Sequence, residues 1–345
     1  MRILLVGGGV QPIPPTGYGA VERIIADLRA ALVAEGHEVE VLNQVRHRRM
    51  RDEYPFAWEL PRLLRGRTYD VIHANTPVVA NRLAFSRQPF VYTSHSRHWF
   101  FRDRLSHRWG YWLERRAVRR ASAVVALTPT LARTMASVVR PPLPPMTVIP
   151  FGVDSDRFAP RWDRRTGRKA LGVGVVLPFK RWELAARALR GLGVELRVAG
   201  PTPSAEYATK VREAGDKVDL LGEVPPDDLV RLYGESDFLV HPSAVEVLSA
   251  TVLEALASGL PVLGGPAIAD EVEDGSTGWV IPDADVGNFV ASTRERAGLL
   301  VSDERRRREM GEQARASAKR RFSWPSIAAE HVKVYETVAR GRGPG

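Results

Sequence analysis

Short apolar runs and longer amphipathic stretches alternate along this 345-residue chain. In the first half, Ile3 to Val6, Val39 to Leu42, Val71 to Ala74, Phe90 to Thr93 and Val124 to Leu127 read as buried strands. Between the first two, Val21, Ile24, Ile25, Leu28, Ala31 and Leu32 recur at helical spacing, and Gly36 stops that helix just before His37. Strand, helix and strand make a βαβ unit, and its repetition predicts a parallel sheet covered by helices. The second half repeats the alternation, with strands predicted at Val173 to Leu177, Glu195 to Ala199, Val218 to Leu221, Phe238 to His241, Pro261 to Leu263 and Trp279 to Ile281. The last stretch, Glu304 to Arg340, is helical in pattern, with a break at Trp324-Pro325.

Pro141 to Pro145 reads PPLPP, which regular structure cannot accommodate, and an irregular stretch follows Val148 and Ile149. The domain junction is placed there, giving 1–150 and 151–322 as two doubly wound α/β domains and 323–345 as a terminal helix packing back on the first. Two such sheets facing across a cleft would line it with their carboxyl strand ends, where ligands bind in this class of sheet.

Composition narrows the field without choosing a function. A hydrophobic share of 44% with 26% charged residues is that of a soluble globular protein, and no apolar run is long enough to span a bilayer. The opening MRILLVGGGV lacks a small-residue cleavage site and reads as a first strand, so a cytoplasmic location is expected. With no cysteine there is no disulfide framework, thiol nucleophile or thiolate metal site. The net charge of +10 favours anions near the surface. Most of the basic residues are Arg, alongside much Ala, Gly and Pro, a usage that genome composition explains as readily as binding does.

The segment His241 to Val262, HPSAVEVLSATVLEALASGLPV, carries the most chemistry. Glu246 falls in the loop after a strand, Ser249 stands where it can cap the next helix, and Glu254 lies a turn and a half inside. The helix amino end is an anion site, and carboxylates accept hydrogen bonds from vicinal hydroxyls. Two carboxylates beside an anion site suit a sugar nucleotide, although a capping network with one solvated acid would have the same spacing.

The segment resembles the signature of the fourth sequence family of glycosyltransferases. There Pro-Ser, a Glu, seven residues and then E-A-x-A-x-G-x-P-V recur, here as Pro242-Ser243, Glu246 and Glu254 to Val262. PPTGYGAVER, GHEVEVL, DVIHANTP, VYTSH, FGVDSDRF, LPFKRWELAARAL, EVEDGSTGWVIPDAD and FSWPSIAAEHVKVYE extend the resemblance over nearly the whole chain in order. It implies the GT-B fold, with two Rossmann-like domains, and a retaining, metal-independent transfer from a UDP- or GDP-sugar type of donor, with no cofactor. By the same resemblance Glu254 would bind the donor ribose. Glu246 and the loop amides of Val247, Leu248, Ser249 and Ala250 would hold the transferred sugar. Lys180 would face the diphosphate, His95 the donor sugar, and Gly17, Gly19 and Ala20 would form the glycine-rich loop near the phosphates.

Ala20 stands where the family has a second Gly, Val247-Leu248-Ser249 replaces the usual G-F-G, and Val175 occupies the place of a second phosphate cation, an Arg. Arg181, where the family commonly has Gly, is a candidate substitute at the donor. The resemblance leaves the acceptor open among small molecules, oligosaccharides and lipid-linked sugars. A nucleotide-sugar epimerase on the same fold and a non-catalytic nucleotide-sugar binder stand as alternatives. VGGGVQPIPP does not make a dinucleotide fingerprint, because prolines follow its glycines and the second strand ends in Asn43. Nucleic acid is not an expected partner, since no binding motif accompanies the charge. The stretch His98 to Arg120 places Phe101, Leu105, Trp109 and Trp112 at helical spacing among many Arg. Its plainer reading is a helix packing an aromatic face on the domain. The other is peripheral contact with an anionic membrane surface.

Overall fold

The computed structural model describes residues 1–15, 19–45, 53–85, 88–101 and 107–341. They form two compact units, one of Met1–Gly152 with the segment from Trp324, the other of Val153–Ser323.

The first unit alternates β1 (Arg2–Val6), α1 (Ala20–Ala34), β2 (Glu38–Leu42), α2 (Glu53–Leu63), β3 (Val71–Ala74), α3 (Pro77–Leu83), β4 (Phe90–Ser94), α4 (Arg108–Arg120), β5 (Ala123–Ala126), α5 (Pro129–Val138) and β6 (Met146–Val148). The strand order is β2-β1-β3-β4-β5-β6, and every pairing is parallel. Strand periodicity of two divides the side chains between the faces. Ile3, Leu5, Val39, Val71, Val91 and Val125 pack on Ile25, Leu28 and Leu32 of α1 and on Ile327, Val334 and Tyr335 of α12 (Trp324–Arg340). The terminal helix therefore closes the core of the first unit. Tyr92 and Ser94 face the other way, toward α4, where Glu114 accepts both hydroxyls at 2.7 and 2.9 Å. At the end of α1, Gly36 takes φ 85°, the left-handed conformation that stops a helix at least cost to glycine.

The second unit runs β7 (Lys169–Val173), α6 (Trp182–Leu189), β8 (Glu195–Ala199), α7 (Ala205–Ala214), β9 (Val218–Gly222), α8 (Pro226–Glu235), β10 (Phe238–His241), α9 (Ala250–Ala257), β11 (Val262–Gly264), β12 (Gly278–Val280), α10 (Val286–Ser302) and α11 (Glu304–Arg321). Its order is β12-β11-β10-β7-β8-β9, again all parallel.

One strand differs from the sequence expectation. The run Val173 to Leu177 is not the strand; β7 lies upstream and ends at Val173. The true strand carries Gly172, which lowers its β signal, and that glycine is required: a Cβ there would sit 2.6 Å from the buried ring of Trp182. Val175 consequently lies in the loop that follows, where its carbonyl accepts the Trp182 indole N–H at 3.0 Å. Among the described residues no helix is long and apolar enough to cross a membrane.

Candidate functional site

Strands β7 and β10 are sheet neighbours, so the loops leaving their carboxyl ends run side by side. The β7 loop leads through one turn of 3-10 helix, Pro178–Lys180, into α6. The β10 loop runs from Pro242 to Ser249 and enters α9. Between them Lys180 Nζ donates to Glu246 Oε1 at 2.6 Å, with the side chains 15% and 14% exposed. His241, the last residue of β10, places Nε2 3.2 Å from the same oxygen, and its Nδ1 lies 3.4 Å from Thr251 Oγ1. Burial alone would raise the Glu246 carboxyl. The hydrogen bond and charge of His241, followed by those of Lys180, outweigh it and hold the group well below the usual carboxylate range.

Ser249 occupies the N-cap position of α9, but its hydroxyl does not cap, correcting the expectation for that side chain. Its Oγ pairs instead with Thr251 Oγ1 at 2.9 Å. The Ser249 backbone N–H donates to Glu271 Oε1 at 2.9 Å. Burial pushes the Glu271 carboxyl up to about 8 in spite of that bond. Val247 is half-buried and the Leu248 side chain is buried, so the loop that the family keeps bare turns one of its two apolar side chains into the protein. Ala250 opens α9, and Glu254, half-buried, follows in its second turn. The phenol of Tyr233, fully buried, is pushed well above its usual range by burial and then by the charge and hydrogen bond of Glu254.

Arg181 takes φ 57° and ψ 37°, the left-handed region that a residue with a Cβ occupies at a cost. That conformation accounts physically for the Gly common at this position in the resembling sequences. The Arg181 guanidinium donates from Nε to the Pro242 carbonyl at 2.6 Å and from Nη1 to Asp283 at 2.8 Å. It also lies 5.1 Å from the centre of the Phe289 ring. Arg181 thereby ties the β10 loop to the segment after β12.

The remaining predicted residues lie in the first unit. His95 follows β4, half-buried, with Nε2 3.3 Å from Asn75 Oδ1 at the end of β3. Burial, and then the charge of His331, lower it to about 4, so the ring is neutral at pH 7. Gly19 is buried at the start of α1, and a Cβ there would meet Gln11 Oε1 and Pro15 Cβ at 2.9 Å, a local packing reason for glycine. Ala20 is the exposed first residue of α1, and Gly17 lies outside the described residues.

His241, Glu271, Asp283 and Tyr233 were not singled out from the sequence. His241 had one available signal, its place at the carboxyl end of a predicted strand. The others reach the site through folds of the chain that local pattern does not encode. Among the described residues no group of His, Asp and Glu is arranged to hold a metal ion.

Residues 19–157 match the family model described as Glycosyltransferase Family 4, and residues 173–296 match the one described as Glycosyl transferases group 1. The MMP alpha-(1->4)-mannosyltransferase of Mycolicibacterium hassiacum is 27% identical over 313 residues, which cover 81% of this chain and 74% of that protein. The D-inositol 3-phosphate glycosyltransferase of Nocardia farcinica is 30% identical over 250 residues, 64% of this chain and 54% of its own, so the match spans about half of that relative. Among solved structures, the sucrose-phosphate synthase of Thermosynechococcus elongatus superposes with a TM-score of 0.83 at 18% identity, covering 98% of this chain and 99% of that one. HepE of Anabaena, in complex with UDP and glucose, gives 0.73 at 19% identity over 98% and 100%. The chain belongs to glycosyltransferase family 4, the group 1 glycosyl transferases, and has the α/β GT-B fold.

Proposed function

We propose that this protein is a retaining, metal-independent glycosyltransferase that takes a sugar from a nucleoside-diphosphate donor of the UDP or GDP type. The observation that carries the reading is the Lys180–Glu246 pair at the carboxyl strand ends of the second unit, with Glu246 in the loop that leads into α9, whose second turn holds Glu254. An ammonium has three donor hydrogens. Lys180 can therefore keep Glu246 and still offer N–H groups to a diphosphate. Glu254 then accepts from the ribose hydroxyls, and Glu246 from a hydroxyl of the sugar.

In the reaction the bond from the anomeric carbon to the phosphate oxygen breaks first, its electron pair leaving with the diphosphate. The developing charge is met by Lys180 and by the dipole of α9. An acceptor hydroxyl forms the new bond on the same face and gives its proton to a phosphate oxygen, so no carboxylate acts as a covalent nucleophile. We read Arg181 as holding the loop through Asp283 and Pro242 instead of replacing the cation absent at Val175, because two of its nitrogens are engaged there. His95 is assigned to the donor sugar, and Gly19 with Ala20 to the donor phosphates, by the family resemblance alone. The acceptor is a hydroxyl-bearing molecule, small, oligosaccharide or lipid-linked.

A panel of nucleotides and nucleotide sugars tests the donor class, since a ligand of the folded state raises Tm with its concentration. One nucleoside diphosphate and its sugar should stand out, and Glu254→Ala should weaken that nucleotide by roughly 1.5–3 kcal/mol per lost bond to a charged acceptor. A panel without a shift would sink the reading. So would a product of inverted anomeric configuration, or activity abolished by EDTA and restored by magnesium or manganese.

A further inference from the structure

Helices α2, α3 and α4 lie side by side on the first unit, and exposed aromatic rings run across them with the half-buried Arg82 and Arg116 between. Trp109 stacks on Trp112 with ring centres 5.0 Å apart, and its indole N–H donates to Tyr54 Oη at 3.0 Å. Arg116 bridges Trp112 and Phe85 at 5.5 and 5.6 Å, and Arg82 bridges Phe85 and Trp58 at 6.0 and 4.8 Å. Trp58 lies one turn after Tyr54 on α2, so the contacts form an arc of five aromatics threaded by two arginines. None of the five is packed away: Trp58 is 75% exposed, Phe85 65%, Trp109 60%, and Tyr54 and Trp112 each 46%. The plainer expectation for the α4 segment, aromatics packed on the domain, therefore fails for Trp109 and Trp112. The residues α4 buries are Leu113, Glu114, Ala117 and Val118, while Phe101 is half-buried and Leu105 lies outside the described residues.

We infer that this surface seats the protein on an anionic lipid bilayer. Trp and Tyr keep an apolar body and a polar edge, which suits the headgroup level of a bilayer, Phe85 adds apolar area, and guanidinium groups among them pair with lipid phosphates. The three helices carry seven arginines against three glutamates, one of which, Glu114, is buried. Aromatic residues and Arg are enriched in interfaces between proteins as well, so it is the excess of positive charge that favours an anionic bilayer. Here the charges are interleaved between the rings, and a bilayer surface accepts both together. Tyr54 and Trp109 are each the second residue of a helix that follows a strand carboxyl end, so the surface begins at the edge where such sheets bind ligands. The membrane contact is independent of the donor chemistry proposed above.

The full chain is sedimented with vesicles of phosphatidylcholine alone and of phosphatidylcholine with phosphatidylglycerol. Binding should be at least tenfold tighter to the anionic vesicles at low ionic strength, fall away near 1 M salt where the Debye length is about 3 Å, and shift Trp emission to shorter wavelength. Trp58→Ser with Trp112→Ser should weaken it tenfold or more, and Arg82→Gln with Arg116→Gln by about fivefold per arginine. Nucleotide affinity and Tm serve as controls, since none of these side chains is among the residues assigned to the donor. Equal binding to neutral and anionic vesicles, or double variants that bind like the parent chain, would overturn the inference. A concentration-dependent doubling of mass that the Trp variants abolish would assign the surface to a second copy instead.

Discussion

Lys180 and Glu246 form an ion pair that is about six-sevenths buried, and a pair in that setting recovers little more than the cost of desolvating it. Its position at the strand ends is better accounted for by charge held ready for a ligand than by stability. Lys180→Ala should therefore lower turnover on the order of a hundredfold to a thousandfold, as expected for loss of one preorganised donor to a leaving group. Initial rates with the protein still folded decide this, and a loss under tenfold would mean that α9 alone carries the phosphate charge. Arg181→Ala should act differently. It removes the partner of Asp283 and lowers stability by about 1–3 kcal/mol, while donor turnover in the folded protein stays within about threefold; a tenfold loss of turnover would make Arg181 a phosphate ligand after all. Lys180, Glu246 and Glu254 were named from the sequence because they stand in short segments that resemble the family's motifs, and the structure brings Lys180 and Glu246 together. Asp283 and Glu271 were not, since Asp283 meets Arg181 across 102 positions and Glu271 meets Ser249 across 22.

The amino end of α9 shows how an element is tuned by a residue outside it. A free amide at a helix start commonly takes a side-chain cap. Here the Ser249 hydroxyl is turned to Thr251, and the Ser249 amide is satisfied by Glu271. Because the folded Glu271 carboxyl titrates near 8, against 4.5 for an ordinary Glu, the folded state holds a proton that the unfolded chain has released. The associated stability is fully present below about 4.5 and declines as pH rises to about 8, by roughly 1.4 kcal/mol per unit of separation. Glu271→Gln keeps an acceptor for the amide and removes the titration. Its Tm should gain on the parent chain as pH rises from about 5 to about 8. A difference in Tm that does not change with pH over that range would show that Glu271 is already ionised.

At the scale of the whole molecule, the chain completes its first unit only with its last helix. Alternation of strand and helix made two parallel sheets legible, and the Trp324-Pro325 break marked where α12 begins. What pattern could not give was the start of β7, hidden by the glycine that Trp182 requires, or the network by which α12 is held. In that network His73 Nδ1 lies 2.7 Å from Tyr335 Oη and His73 Nε2 lies 2.6 Å from Thr93 Oγ1, while the ring of His331 stands 5.6 Å from that of His73. Burial lowers His73, His95 and His331, the last two to about 4. A histidine whose folded value is depressed below its unfolded one contributes stability that is complete above about pH 6.5 and is lost as pH falls toward 4. The first unit should thus be the acid-sensitive one. His331→Gln keeps a donor for the Ile327 carbonyl, which His331 contacts at 2.9 Å, and removes one of these titrations. Thermal melts between pH 7 and pH 4 should then show a shallower decline than in the parent chain, by up to about 3 kcal/mol at the acid end. Parallel declines for the two proteins would mean that His331 takes up its proton without releasing α12.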